Sequence, residues 1–161
     1  AFLDTLPASD TPSVAHELSF PFNIRRTLGL WKLLYLDKDW ITTAEGEEQE
    51  RGRKLVEAEA HCGECHTPRT ALGGLDTARW LQGAPNPSGE GKIPGIAPGL
   101  LDWSATDIAY YLETGFTPDY DSAGGEMASV VRNMAHLAPE DRQAIAAYVK
   151  ALPSVETNSG D

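Results

Sequence analysis

Cysteine occurs only twice in this chain of 161 residues, and so does methionine. No third cysteine competes for either thiol. Basic residues are also few: 13 Lys and Arg stand against 24 Asp and Glu, a formal net charge of −11. That balance argues against nucleic acid and against anionic membrane surfaces as partners. The acidic residues are scattered (Glu45, Glu47, Glu48; Asp119, Asp121, Glu126), which reads as a solvated surface rather than one docking patch. No apolar run reaches the roughly 18 residues of a membrane-spanning helix, so membrane association is expected to be indirect at most. No alternation of strands and helices in a βαβ pattern is visible either. What remains is an ordinary globular composition with enough Leu, Ile, Val and aromatics for a core. It suits one domain of about 100–150 residues plus extensions.

Both cysteines fall in one pentad, Cys62-Gly63-Glu64-Cys65-His66. C-x-x-C-H is the attachment pattern of a c-type haem. Two thiols three positions apart reach the two vinyl groups of one porphyrin, and His66 then lies under the iron as an imidazole ligand. Other uses fit less well. A Cys62–Cys65 disulfide closes too tight a loop to stabilise much. A thioredoxin-like pair needs the missing βαβ context. Zinc needs a fourth ligand, and His16, His61 and His136 stand at no recognisable spacing. One haem c, joined through Cys62 and Cys65, is therefore expected. Such attachment takes place outside the cytoplasm, which points to a periplasmic protein. The first residues do not read as a signal peptide, so the export signal has been removed or the chain is part of a longer one.

The opening phrase AFLDTLP echoes AYVKALP at 147–153, which closes the final helix before a proline. Residues 1–22 are therefore expected to be the tail of an upstream cytochrome domain plus a Pro/Ser/Thr/Asp-rich linker. Residues 23–45 are expected to form an apolar helix and connector. In 23–36, NIRRTLGLWKLLYL, leucines occur nearly all round the helix, so something must cover it. The haem domain, an upstream domain or a membrane interface would each do, and packing between domains fits best.

From 46 to 153 the pattern is that of the haem domain. A helix from about Thr43 places Glu45, Glu47, Glu48 and Glu50 before Arg51, Arg53 and Lys54, in agreement with the helix dipole. Gly52, Leu55 and Val56 form its packed face, and it is expected to run straight into Cys62. Residues 67–100, rich in Gly and Pro, read as one long structured loop wrapped on the haem. Ser104 with Asp107 opens a further helix as a capping box, and Gly115 stops it. Met127–Met134 is a short helical stretch. Pro139 starts the last helix and Pro153 stops it. Tyr110, Tyr111 and Tyr148 are expected in the core, and residues 154–161 to be disordered.

Three phrases carry a resemblance: RGRKLVEAEAHCGECHTPR at 51–69, WSATDIAYYLETG at 103–115, and GGEMASVVRNMAHLAPEDRQAIAAYVKALP at 124–153. Together they resemble a class I type cytochrome c domain, and in particular the cytochrome subunits, often multi-haem, of bacterial alcohol and sugar-acid dehydrogenases. The resemblance implies an all-α cytochrome c fold, helices and long loops around one covalent haem. It implies a methionine sulfur opposite His66. Met127, after the flexible Gly124-Gly125, matches the family position, whereas Met134 reads as a core filler and His136 is a further alternative. The family also supplies a proline carbonyl to the ligand histidine. Pro94-Gly95-Ile96 fits better than Pro98-Gly99-Leu100, although Gly95 and Ala97 replace the Asn and Thr of related sequences. Arg69 and Trp80 are candidates to meet the haem propionates.

Such a domain implies one-electron transfer rather than enzymatic turnover. The expected partners are redox proteins: a donor dehydrogenase or another cytochrome, and a terminal oxidase or other acceptor. A catalytic or sensing haem, peroxidase-like or thiosulfate-oxidising, with an open or exchangeable sixth ligand is the alternative.

Overall fold

The computed structural model describes residues 2–156; Ala1 of the opening phrase and 157–161 of the expected tail lie outside the described residues. Its contacts divide the chain into two units, residues 1–36 and 37–161.

The smaller unit holds a short 3₁₀ turn, Phe2–Thr5, and helix α1, Thr27–Tyr35, with mostly irregular chain between them. α1 is shorter than the segment expected to be helical and has no buried residue; Leu30, Leu33 and Leu34 are all exposed.

The larger unit is the all-α arrangement expected from the sequence. It contains α2 (Gly46–Lys54), α3 (Cys62–His66), α4 (Ala105–Thr114), α5 (Gly125–Met134) and α6 (Pro139–Ala151). The strands, β1 (Ala84–Pro85) and β2 (Lys92–Ile93), form a two-residue antiparallel pair inside the 67–100 loop. The connector joins this unit from Asp37 onward. Arg53 lies over the Trp40 ring at 4.9 Å and donates to the Thr42 carbonyl.

α2 crosses α6 at a residue without a side chain. A Cβ on Gly52 would fall 1.9 Å from the Ala144 carbonyl oxygen and 2.7 Å from Tyr148 Cβ, so the two backbones meet there. Around this contact Leu55, Val56, Ile108, Leu112, Ile145, Tyr148, Val149 and Leu152 form the core. Arg51 clamps the pair from outside through a two-point bond to Asp141, at 2.7 and 2.9 Å.

Three expectations need correction. The helix does not start at Thr43 or run unbroken into the pentad: after Lys54 it widens into a π turn, Leu55–Glu59, closed by Ala60 N–H donating to Leu55 O at 2.7 Å. His61 then adopts φ 55°, a left-handed conformation that ends the helix, and α3 starts afresh. Tyr110 is 53 % exposed, because Ile108 and Leu112 are the buried face of α4 and position 110 falls on the opposite side. The chain is also not free directly after Pro153, where the Val155 N–H donates to the Pro98 carbonyl at 2.8 Å. The 67–100 loop is structured, as expected, and carries a 3₁₀ turn at Thr77–Arg79 besides its strand pair.

α4 begins with the expected box. Ser104 Oγ accepts from Asp107 N–H at 3.1 Å, and the Asp107 carboxylate accepts from Ser104 N–H at 3.0 Å. These bonds from Ser104 hold the Asp107 carboxyl below its ordinary 3.8. At the other end Gly115 takes φ 79°, the left-handed C-cap. α5 is tied down by a buried cation. The Arg142 guanidinium donates to the carbonyls of Met134, Ala135 and Leu137 at the end of α5, and pairs with Glu113 of α4 at 3.2 Å.

Candidate haem site

The five residues of α3 are too short a helix to stand alone, and the loop that follows holds them. Gly63 packs against the Trp80 ring at its Cζ3–Cη2 edge: a Cβ there would lie 2.1 Å from both of those carbons. The His66 carbonyl accepts from Gly83 N–H at 2.6 Å, and the buried Thr67 accepts from Leu81 N–H through its hydroxyl at 3.0 Å. Leu81, fully buried, accepts from both Ile96 N–H and Ala97 N–H. The turn and the strand of loop carrying Pro94–Ile96 are thus pinned to the same short segment.

His66 Nδ1 lies 2.8 Å from the Pro94 carbonyl oxygen. A carbonyl only accepts, so Nδ1 carries the proton and Nε2 keeps its lone pair for a metal. Burial lowers the His66 pKa and the Pro94 bond partly opposes that, so the ring is held in its neutral, ligating form. The other proline, Pro98, has its carbonyl engaged by Val155. Gly95 has a steric reason to lack a side chain: a Cβ would fall 2.5 Å from Leu100 Cδ1 and 2.9 Å from the Gln82 carbonyl carbon.

Neither cysteine is in a disulfide. Cys62 is partly buried, and burial pushes its thiol up to about 11, whereas Cys65 is exposed. Met127, in the first turn of α5, and Met134, at its last residue, both lie partly buried against the core, as do Ile96, Leu101 and Trp103. Trp103 meets Tyr111 edge-on at 5.1 Å. Two unpaired thiols and an imidazole with one free nitrogen, carried on one short turn, are a set of groups that fits a covalently held haem.

The two propionate candidates have protein partners. Arg69 pairs with the Glu64 carboxylate and donates to the Gly73 carbonyl at 3.3 Å. Trp80 is 8 % exposed and donates its single N–H to the Tyr148 hydroxyl at 3.1 Å, which leaves none for a propionate. Tyr148 is therefore more than a core residue. Its hydroxyl also accepts from Thr42 Oγ1 at 2.8 Å and donates to Glu57 Oε1 at 2.6 Å. Burial first, then the Glu57 hydrogen bond, raises its pKa well above the ordinary phenol value, so the donated proton stays in place. Sequence reasoning missed Glu57, whose signal was an acid directly after the buried pair Leu55–Val56.

Comparison with known proteins agrees with this geometry. The sequence pattern of the cytochrome c family matches residues 49–153. The chain is 61 % identical over 157 residues to a "Diheme cytochrome c-type" protein of Cereibacter sphaeroides, covering 97 % of this chain and 53 % of that one. It is 36 % identical over 152 residues to the fructose dehydrogenase cytochrome subunit of Gluconobacter japonicus, covering 90 % and 31 %. It is 32 % identical over 150 residues to the gluconate 2-dehydrogenase cytochrome c subunit of Pantoea cypripedii, covering 84 % and 34 %. The chain thus spans about half, or a third, of the length of these relatives. With pentad, loop and closing helix all inside the matched residues, the chain belongs to the cytochrome c family.

Proposed function

We propose that this chain is a periplasmic one-electron carrier that holds a single haem c within residues 46–153, with His66 and Met127 as axial ligands. The observation that carries this reading is the His66–Pro94 bond, which fixes the imidazole tautomer on the turn that presents both thiols. The only two cysteines stand in that one pentad, which supports one covalently held group in these residues. The bound iron supplies one-electron chemistry. The chain's own residues hold and shield: Cys62 and Cys65 fix the group, Pro94 orients His66, and Ile96, Leu101 and Trp103 contribute apolar cover.

Relatives that are cytochrome subunits of fructose and gluconate dehydrogenases favour a dehydrogenase, or another cytochrome coupled to one, as donor. A terminal oxidase or other redox protein is then the acceptor. The net charge of −11 favours partners with locally basic surfaces and encounter rates that fall with salt. No helix among the described residues is long and apolar enough to cross a membrane, which is compatible with indirect attachment through a partner.

Two measurements test the reading. The intact mass should exceed the polypeptide by one haem, and the reduced protein should give the same spectrum with and without carbon monoxide. Rapid carbon monoxide binding would instead indicate an exchangeable sixth ligand and a catalytic or sensing role.

A further inference from the structure

The π turn carries an acid, Glu57, directly after its buried pair Leu55 and Val56. Its carboxylate accepts from Ile41 N–H at 2.7 Å, Thr42 N–H at 3.2 Å and the Tyr148 hydroxyl at 2.6 Å. Tyr148 in turn receives the Trp80 N–H, and the Trp80 ring lies against Gly63. The carboxylate is partly buried, and both of its oxygens are hydrogen-bonded, which offsets the cost of its desolvation.

We propose that Glu57 is a positioning residue for the haem-bearing turn, acting through Tyr148 and Trp80. Trp80 bears on that turn at two points. Its ring touches Gly63 within the pentad, and the next residue, Leu81, bonds Thr67 on one side and the Ile96–Ala97 backbone on the other. A tilt of the indole therefore moves both the seat of His66 and the Pro94 carbonyl that orients it. Leu81 itself has φ 56°, so the backbone beside Trp80 is held in a conformation that an isolated leucine avoids. The bond from Tyr148 to the indole supplies a restraint at that point. A second end of the network reaches Ile41 and Thr42, so the connector and the haem turn are fixed by one carboxylate.

The inference rests on the haem reading given above, and the test separates the two. The oxidised holoprotein is examined by proton NMR, whose shifted haem methyl resonances report the orientation of the axial imidazole. Thermal unfolding is measured in parallel. Glu57→Leu should displace and reorder these resonances, and Trp80→Phe, which keeps a ring but not the N–H, should displace them in the same sense by less. Glu57→Gln still accepts from Tyr148 through its carbonyl but sets an amide NH2 against the Ile41 N–H, so it should displace the resonances by less than Glu57→Leu. A folded Glu57→Leu variant with wild-type resonances and only a lower Tm overturns the proposal, as does Glu57→Gln matching Glu57→Leu. Should Glu57→Leu fail to fold, wild-type resonances in Trp80→Phe overturn it and displaced ones support it. A wild-type protein without a low-spin haem pattern refutes the haem reading first, and this inference with it.

Discussion

Gly52 and Ala144 bring two helices together at a point where no side chain fits: a Cβ on Gly52 would sit 1.9 Å from the Ala144 carbonyl oxygen. Two effects oppose each other in Gly52→Ala. Alanine favours an exposed helix by about 1 kcal/mol, but here it must push α6 off α2. The clash wins, because the opposing atom is backbone and cannot rotate away. We expect a net loss of about 2 kcal/mol, in the range of overpacked cores. Urea denaturation of the holoprotein checks this, and an unchanged midpoint would show the helices free to slide.

Met127→Ala should abolish the sulfur-to-iron charge-transfer band at the red end of the oxidised spectrum, whereas Met134→Ala should keep it. The second variant loses only a core contact, a cost of about 2 kcal/mol or more from a fully buried site and less from this half-buried one. If the band survives in Met127→Ala, the ligand assignment passes to Met134.

The Ser104–Asp107 box predicts a pH signature. The Asp107 carboxyl is held below its ordinary 3.8 in the folded chain. A depressed folded value contributes stability that is fully present above 3.8 and is lost as pH falls through the lower folded value. The stability difference between wild type and Asp107→Asn should therefore be constant at neutral pH and shrink as the medium becomes more acidic than 3.8. Paired urea titrations across that window decide it; a difference that grows on acidification would contradict the assignment.

Arg142 is 4 % exposed and satisfies carbonyls at the end of the helix whose first turn carries Met127. Arg142→Met should cost about 2 kcal/mol through the unpaired carbonyls. Arg142→Lys should recover only part of that, since an ammonium cannot reproduce the guanidinium fork. Thermal unfolding of the three proteins gives the order.

Features written in neighbouring residues were legible in the chain. The pentad, the Ser104 cap, the Gly115 stop and the Pro139 start each depend on residues a few positions apart, and Pro94 could be chosen as the partner of His66. The network around Tyr148 could not be read, because its partners Trp80, Glu57 and Thr42 stand 68, 91 and 106 positions away. The indole N–H that seemed available to a propionate is spent on one of these distant contacts. The π turn escaped for a different reason: Leu55 and Val56 fit an ordinary helix, and nothing local signals one extra residue in the turn. Tyr110 shows the limit of residue type alone, since an aromatic on the wrong side of α4 stays in water.

The left-handed residue at His61 separates the thiols from the helix that precedes them. In a continuous helix each residue gained or lost upstream would swing the two sulfurs by about 100° around the axis. Here the rotation stops at the break, and the attachment turn takes its bearing from the loop behind it. Length changes in α2 should thus reach the thiols only through the side-chain bonds of Glu57 to Tyr148 and of Tyr148 to Trp80, and not by turning the sulfurs about a common axis.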